Sequence, residues 1–142
     1  MILDSLLRIS DLEDISQAAG SKYSTSVLNT STVLGDFGAG EQLYAIFCID
    51  AAVTSGTSVA TVVFAIVDEA DTTIDVGSIV IAQTAPLIVT RLTLGKIIVL
   101  PIPYGLITQQ YIGAKYTIAD ETTTAGTVSC WIGVGPQTWN VG

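Results

Sequence analysis

The stretch Ile97–Gly133 reads IIVLPIPYGLITQQYIGAKYTIADETTTAGTVSCWIG, and its pattern decides the fold class. Within it, Ile112, Ala114, Tyr116 and Ile118 fall on one side of an extended chain, with Tyr111, Gly113, Lys115 and Thr117 on the other. That two-residue period is the mark of a half-buried strand. Thr127–Gly133 repeats it, Val128, Cys130 and Ile132 opposing Thr127, Ser129 and Trp131. Joined by the polar loop Ala119–Gly126, the two segments read as a β-hairpin with a long tip. Trp131 falls on the more polar face, where a large aromatic marks a contact surface. Upstream, the apolar run from Ile97 ends in Pro101-Ile102-Pro103 and a turn at Tyr104-Gly105.

The same grammar extends back to Ser21. Runs rich in Val, Ile, Thr and aromatics alternate with Gly, Asp and Ser clusters. Strands are expected at Ser26–Leu34, Gln42–Asp50, Thr57–Asp68, Ile74–Ala82, Leu87–Thr93, Lys96–Leu100, Tyr111–Ile118 and Thr127–Val134. Eight short strands match an antiparallel β-sandwich of jelly-roll type. An immunoglobulin-like sandwich is the alternative, although its Cys–Trp–Cys arrangement is missing. Val59–Val67 is apolar on both faces, which predicts cover from the second sheet on one side and from a loop or neighbouring chain on the other. Residues 1–20 carry Leu3, Leu6 and Leu7 at helical spacing, with Asp11 and Asp14 placed to favour a helix start near Ser10. They are read as an N-terminal arm followed by a short helix or turn at Leu12–Ala18, and residues 21–142 as the sandwich domain.

Composition narrows function. The chain has 142 residues, enough for one substantial core. Only 13% of them are charged, against roughly 25% in an ordinary soluble domain. So little charge implies that part of the outer surface lies against other protein. Thirteen acids face five scattered bases, for a net charge of −8, which argues against nucleic-acid binding, since phosphate contact needs clustered Lys or Arg. Apolar runs are too short to span a membrane as a helix, and residues 1–20 lack the basic start and continuous apolar stretch of a signal peptide. The expectation is therefore a chain made in, and staying in, a cytosol.

There is no histidine, which removes imidazole as base, nucleophile partner or metal ligand. Cys48 and Cys130 read as reduced core thiols, with a disulfide open if their strands are neighbours. Gly35–Gly40 has no Lys-Ser/Thr and reads as a surface turn rather than a phosphate loop. Asp68, Glu69, Asp71 and Asp75 could offer oxygens to Ca²⁺, but match no calcium-loop spacing and read as a solvated turn. Glu41 and Asp50 are the acids that a sugar-cleaving site would need to bring together. No nucleophile–base set can be assembled, so the expectation is no enzyme, no cofactor and no metal.

Three segments, MILDSLLRISD at the start, GEQLYAIFCID at Gly40–Asp50 and Leu100–Gly133, together resemble the capsid cement (decoration) proteins of short-tailed bacteriophages. The counterparts of that family's motifs are Leu100-Pro101, Gln110-Tyr111-Ile112-Gly113 with Tyr116, and Thr124-Ala125-Gly126-Thr127-Val128. Gln110 stands where the family carries Arg, so a charge contact there is not carried over. The similarity covers about half the chain and leaves out Thr54–Arg91. It implies a jelly roll on the outer face of a virion capsid, made in the host bacterial cytoplasm. There it would bind major capsid protein of HK97-like fold and cement neighbouring subunits against internal DNA pressure. It also implies self-association, as a dimer, with a trimer as the alternative. The expected contact residues are Met1, Ile2, Leu3, Leu6, Leu7, Tyr104, Trp131 and Trp139. A carbohydrate- or receptor-binding jelly roll on the virion is the competing expectation.

Overall fold

The computed structural model describes residues 8–30 and 42–134. Ten strands run in the order β1 (Arg8–Asp14), β2 (Gly20–Tyr23), β3 (Leu28–Asn29), β4 (Leu43–Ser55), β5 (Thr61–Glu69), β6 (Ile79–Gln83), β7 (Leu87–Ile88), β8 (Ile97–Ile102), β9 (Tyr111–Ala119) and β10 (Thr123–Val134). Two antiparallel sheets form: β1-β10-β4-β8, here the outer sheet, and β2-β9-β5-β6, here the inner sheet. Short β3 and β7 attach to β9 and β5. The first strand thus pairs with the last, β2 with β9, β4 with β8 and β5 with β6. A long hairpin wrapped on itself in this way is a jelly roll, the architecture expected from the run of short strands.

That topology overturns the hairpin expected from Tyr111–Gly133. β9 pairs with β5 and β2 in one sheet, and β10 with β4 and β1 in the other. Their connection crosses the end of the sandwich instead of turning back within a sheet. It is pinned there by Glu121, whose Oε1 accepts from the Thr57 amide at 2.8 Å and the Thr57 hydroxyl at 3.0 Å. The β4–β5 crossover is thereby tied to the β9–β10 crossover. Hydrogen bonds, first from the Ser55 hydroxyl and then from Thr57, hold the Glu121 carboxyl below its ordinary value of 4.5. A carboxyl depressed in the folded chain adds stability above its unfolded pKa, and that stability is lost as pH falls through the folded value. Glu121→Gln is therefore expected to flatten the acid limb of the stability profile. Urea midpoints between pH 3 and pH 6 would reveal it, and an unchanged slope would count against the clamp.

The second difference lies at the start. Arg8–Asp14 is an edge strand of the outer sheet, not an arm outside it, and the helix weighed for Leu12–Ala18 does not form. Register shifts between Arg8 and Ser10 and between Ser10 and Glu13 break the two-residue alternation, leaving Ile9 and Ser10 both buried. At the second bulge Leu12 takes φ 49° and is 61% exposed. Its amide is retained by Ser129 Oγ at 3.0 Å. Bulging an edge strand also spoils it as a template for further pairing. Of the strand expected at Ser26–Leu34, Leu28–Asn29 is formed, and residues 31–41 lie outside the described residues.

The core lies between the sheets. Ile112, Ala114, Tyr116 and Ile118 meet Val128, Cys130 and Ile132, and all seven are buried, the faces their alternation predicts. Phe47, Phe64 and Tyr116 form its centre, with ring centroids 5.2 to 6.0 Å apart in tilted and edge-on pairs. Tyr116 is wholly buried, and its hydroxyl donates to Ser10 Oγ at 2.8 Å. Burial pushes the phenol well above its usual range. The far side of β5 is covered as well. The β5–β6 loop lays Ile74 over Gly113, the residue that pairs with Val67. The second cover predicted for Val59–Val67 is thus supplied there by the chain itself.

Candidate interaction surface

The outward side of the outer sheet is read from strand register. On β8, Ile98, Leu100 and Ile102 face the core while Ile97, Val99 and Pro101 face out. Across the sheet these pair in rows. Gly133 lies opposite Tyr44 and Tyr44 opposite Pro101. In the next row Arg8 meets Trp131, Trp131 meets Ile46, and Ile46 meets Val99. Below it Ser129 meets Cys48 and Cys48 meets Ile97. On β10, β4 and β8 these three rows hold no Asp, Glu, Lys or Arg. Ile97 is 46% exposed and Val99 36%, whereas Ile46 is only 1% exposed, its Cδ1 leaning towards Gly133.

Polar groups frame this patch. At one edge Arg8 and Asp11 pair at 3.3 Å, exposed and worth little to stability. At the lower end the Asp50 carboxylate accepts from the Ser129 hydroxyl at 2.5 Å. Lys96 lies just before β8, its carbonyl accepting from the Ile49 amide at 2.9 Å. An uncharged centre with a charged rim is the anatomy of a protein-contacting surface.

Of the expected contact residues, Trp131 is on this face, half-buried. Tyr104 begins the 3-10 turn Tyr104–Leu106 between β8 and β9. Met1, Ile2, Leu3, Leu6, Leu7 and Trp139 lie outside the described residues. Sequence reasoning missed Tyr44, Cys48, Ile97 and Val99. The signal was present in Ile97–Ile102, whose residues are apolar at both parities, but a strand covered by loops reads the same way.

The two cysteines are free, and lie on neighbouring strands with Cys130 turned to the core and Cys48 away from it. Burial drives the Cys130 thiol well above its usual range. Cys48 is raised too, by partial burial first and by the nearby Asp50 charge second.

The acids between β5 and β6 do not converge. Asp68 points inward, fully buried, and its Oδ2 accepts from the amides of Thr108 at 2.9 Å and Gln109 at 3.1 Å. Glu69 accepts from the Ala70 amide and the Ser78 hydroxyl, Asp71 from the Thr73 amide, and Asp75 from the Gly77 amide. These carboxylates hold turns, as short acidic side chains do. Among the described residues no group of three or more Cys, Asp or Glu is placed to hold a metal ion. Glu41 lies outside them. Asp68→Ala frees the loop before β9 but also relieves an Asp68 Oδ1 that has no hydrogen-bond partner. The expected net loss is about 1.5 kcal/mol, the low end for a single charge-assisted bond, because the unpartnered Oδ1 is relieved and the exposed Thr108 regains water at its amide. Equilibrium unfolding would measure it.

Fold and surface together define a jelly-roll β-sandwich domain whose outer sheet carries three rows across β10, β4 and β8 free of Asp, Glu, Lys and Arg. The chain belongs to the Bbp16 family, whose family model matches residues 13–132, from the end of β1 to near the end of β10. A comparison with curated proteins finds no match.

Proposed function

We propose that this protein is a structural, non-catalytic virion module that self-associates and binds the outside of a phage capsid, cementing neighbouring major capsid subunits. The observation that carries the reading is the set of three rows across the outward side of β10, β4 and β8 that hold no Asp, Glu, Lys or Arg, on a domain of net charge −8. Such a face costs solubility unless it is covered by protein. The sequence resemblance to phage cement proteins supplies the capsid as partner. Apolar side chains exposed away from that face, Val76 at 89% and Leu94 at 72%, offer further small contacts. Repeated around a symmetric shell, weak contacts add through linkage, since a ligand that binds only the assembled state stabilises it.

Co-sedimentation tests this. Purified protein is mixed with empty shells of its major capsid protein, and the shells are pelleted. The full chain is expected in the pellet. Removing Met1–Leu7 leaves the β1 strand in place and is expected to weaken pelleting by deleting the N-terminal apolar side chains. Failure of the intact protein to pellet would end the cement reading.

A further inference from the structure

We propose that the free edge of β8 takes an extended segment of a different protein, added antiparallel as a further strand of the outer sheet. That segment is apolar on the side it turns inward and acidic at its C-terminal end. The interaction needs neither self-association nor the outward rows described above.

Four strands end the two sheets, and three of them are blunted. β1 carries two register shifts and β6 one, while β2 is four residues long. β8 runs six residues in unbroken register with β4, with no charged side chain from Ile97 to Ile102. Its backbone groups divide by parity. The Lys96 carbonyl accepts from the Ile49 amide at 2.9 Å and the Ile102 carbonyl from Gln42 Nε2 at 3.0 Å, so the even-numbered set faces β4. The odd-numbered set, Ile97, Val99 and Pro101, turns its main-chain groups away from the sheet. Pro101 suits that position because it has no N–H to leave unpaired. Among the described residues none bonds the main chain of these three on that side. Such an edge is a template for another extended backbone.

The flank to be closed sets the chemistry of the added strand. β6 and β8 lie against each other on one side of the sandwich, and the seal there is incomplete. Ile79, paired with the inward-facing Asp68, is 51% exposed, and the inward side chains of Ile98 and Leu100 leave them 9% and 8% exposed. On the opposite flank Ile9 and Ile15 are at 0%. A strand paired with Ile97, Val99 and Pro101 points its intervening side chains inward, opposite Ile98 and Leu100, where apolar groups gain by leaving water. In antiparallel register its C-terminal end reaches Lys96. Lys96 and Arg91 are both exposed and in no ion pair among the described residues, on a chain of net charge −8. Two of the five bases thus precede β8, with Leu94 between them in sequence and 72% exposed. A carboxylate on the incoming strand complements them. A second copy of β8 has no acid to offer, which is why the occupant is a different protein.

Amide hydrogen exchange and a synthetic strand test this on the full chain. In the protein alone, the Ile97 and Val99 amides are expected to exchange near the rate of unstructured chain, and those of Ile98 and Leu100 slowly. Ile97 and Val99 amides already protected overturn the proposal, since the edge is then filled by this chain or by a second copy. The probe is a short capped peptide in which threonine and valine alternate, ending in aspartate at its C-terminus. It is expected to bind and to protect Ile97 and Val99. With the valines pointing inward, the threonine amides face β8. Methylating those nitrogens is expected to weaken binding at least about tenfold, the loss of two or more hydrogen bonds, whereas methylating the valine nitrogens leaves binding unchanged. Replacing the aspartate by asparagine is expected to weaken it about two- to fivefold at low salt. A peptide that fails to bind, or whose binding ignores threonine N-methylation, overturns the proposal. Shell pelleting reads the cement function separately, because the peptide assay contains no capsid protein.

Discussion

Phe47→Ala is expected to cost about 3–5 kcal/mol, the largest loss from any single truncation considered for this chain. Phe47 is fully buried in the middle of β4 and packs on Phe64 at 5.2 Å and Tyr116 at 6.0 Å between ring centroids. These three side chains come from three strands, one in the outer sheet and two in the inner. Removing the ring therefore leaves a void lined from both sheets, which strands held in hydrogen-bonded register cannot collapse to fill. The ring-on-ring geometry of the trio is worth about 0.5–1.5 kcal/mol beyond buried area, and it disappears with the ring. The measurement is urea unfolding of the purified protein. A loss below about 1 kcal/mol would mean the two sheets close over the gap and that the aromatic trio does not hold them apart.

Gly113→Ala is expected to destabilise toward the upper end of the ~1–3 kcal/mol range for overpacking. A Cβ at Gly113 would fall 2.4 Å from Ile74 Cγ1, 2.8 Å from Ile74 Cδ1 and 2.9 Å from Ser24 Oγ. Ser24 cannot move freely, because its Oγ accepts the Ala114 amide at 2.9 Å and donates to the Ser26 carbonyl at 3.0 Å. Ile74 must therefore lift off the sheet and expose an apolar side chain that is now 7% accessible. Ile74→Ala alone is also destabilising, because it strips that cover. In the double variant the new methyl occupies the vacated space, so the two losses should fall short of additivity by about 0.5–3 kcal/mol. Strictly additive losses would show that the β5–β6 loop does not rest on Gly113.

Much of the fold is legible in the sequence, and the two places where it is not have different physical causes. In β9 and β10 the buried set is the alternate set, because hydrophobic residues at period two escape water only by turning one face inward. β1 is not legible as a strand. Two bulges put Ile9 and Ser10 on the same side and turn Leu12 outward, so its apolar spacing imitates a helix. The β9–β10 connection misleads for another reason. A polar link between two strands looks alike whether the chain turns back in its own sheet or crosses to the other one. The acidic turn before β6 shows a milder version. Asp68 and Asp71 are close in sequence, but strand parity sends Asp68 into the interior to hold the Thr108 and Gln109 amides.

The contact surface divides along the same line. Trp131 is conspicuous in the sequence because an aromatic on an otherwise polar parity demands a reason. Ile97 and Val99 are not, since a short apolar run carries no mark of which half will be covered.

By itself the amino-acid order determined that this chain makes strands, which residues of β9 and β10 turn inward, and that no imidazole chemistry is available. Those properties are local, set by side-chain type and a two-residue period along a single segment. Only the tertiary structure decided that β10 lies between β1 and β4, and that Trp131, Ile46 and Val99 therefore stand in one row. Strand pairing joins residues dozens of positions apart, and its energy comes from sheets closing on a shared core, which no stretch read alone contains.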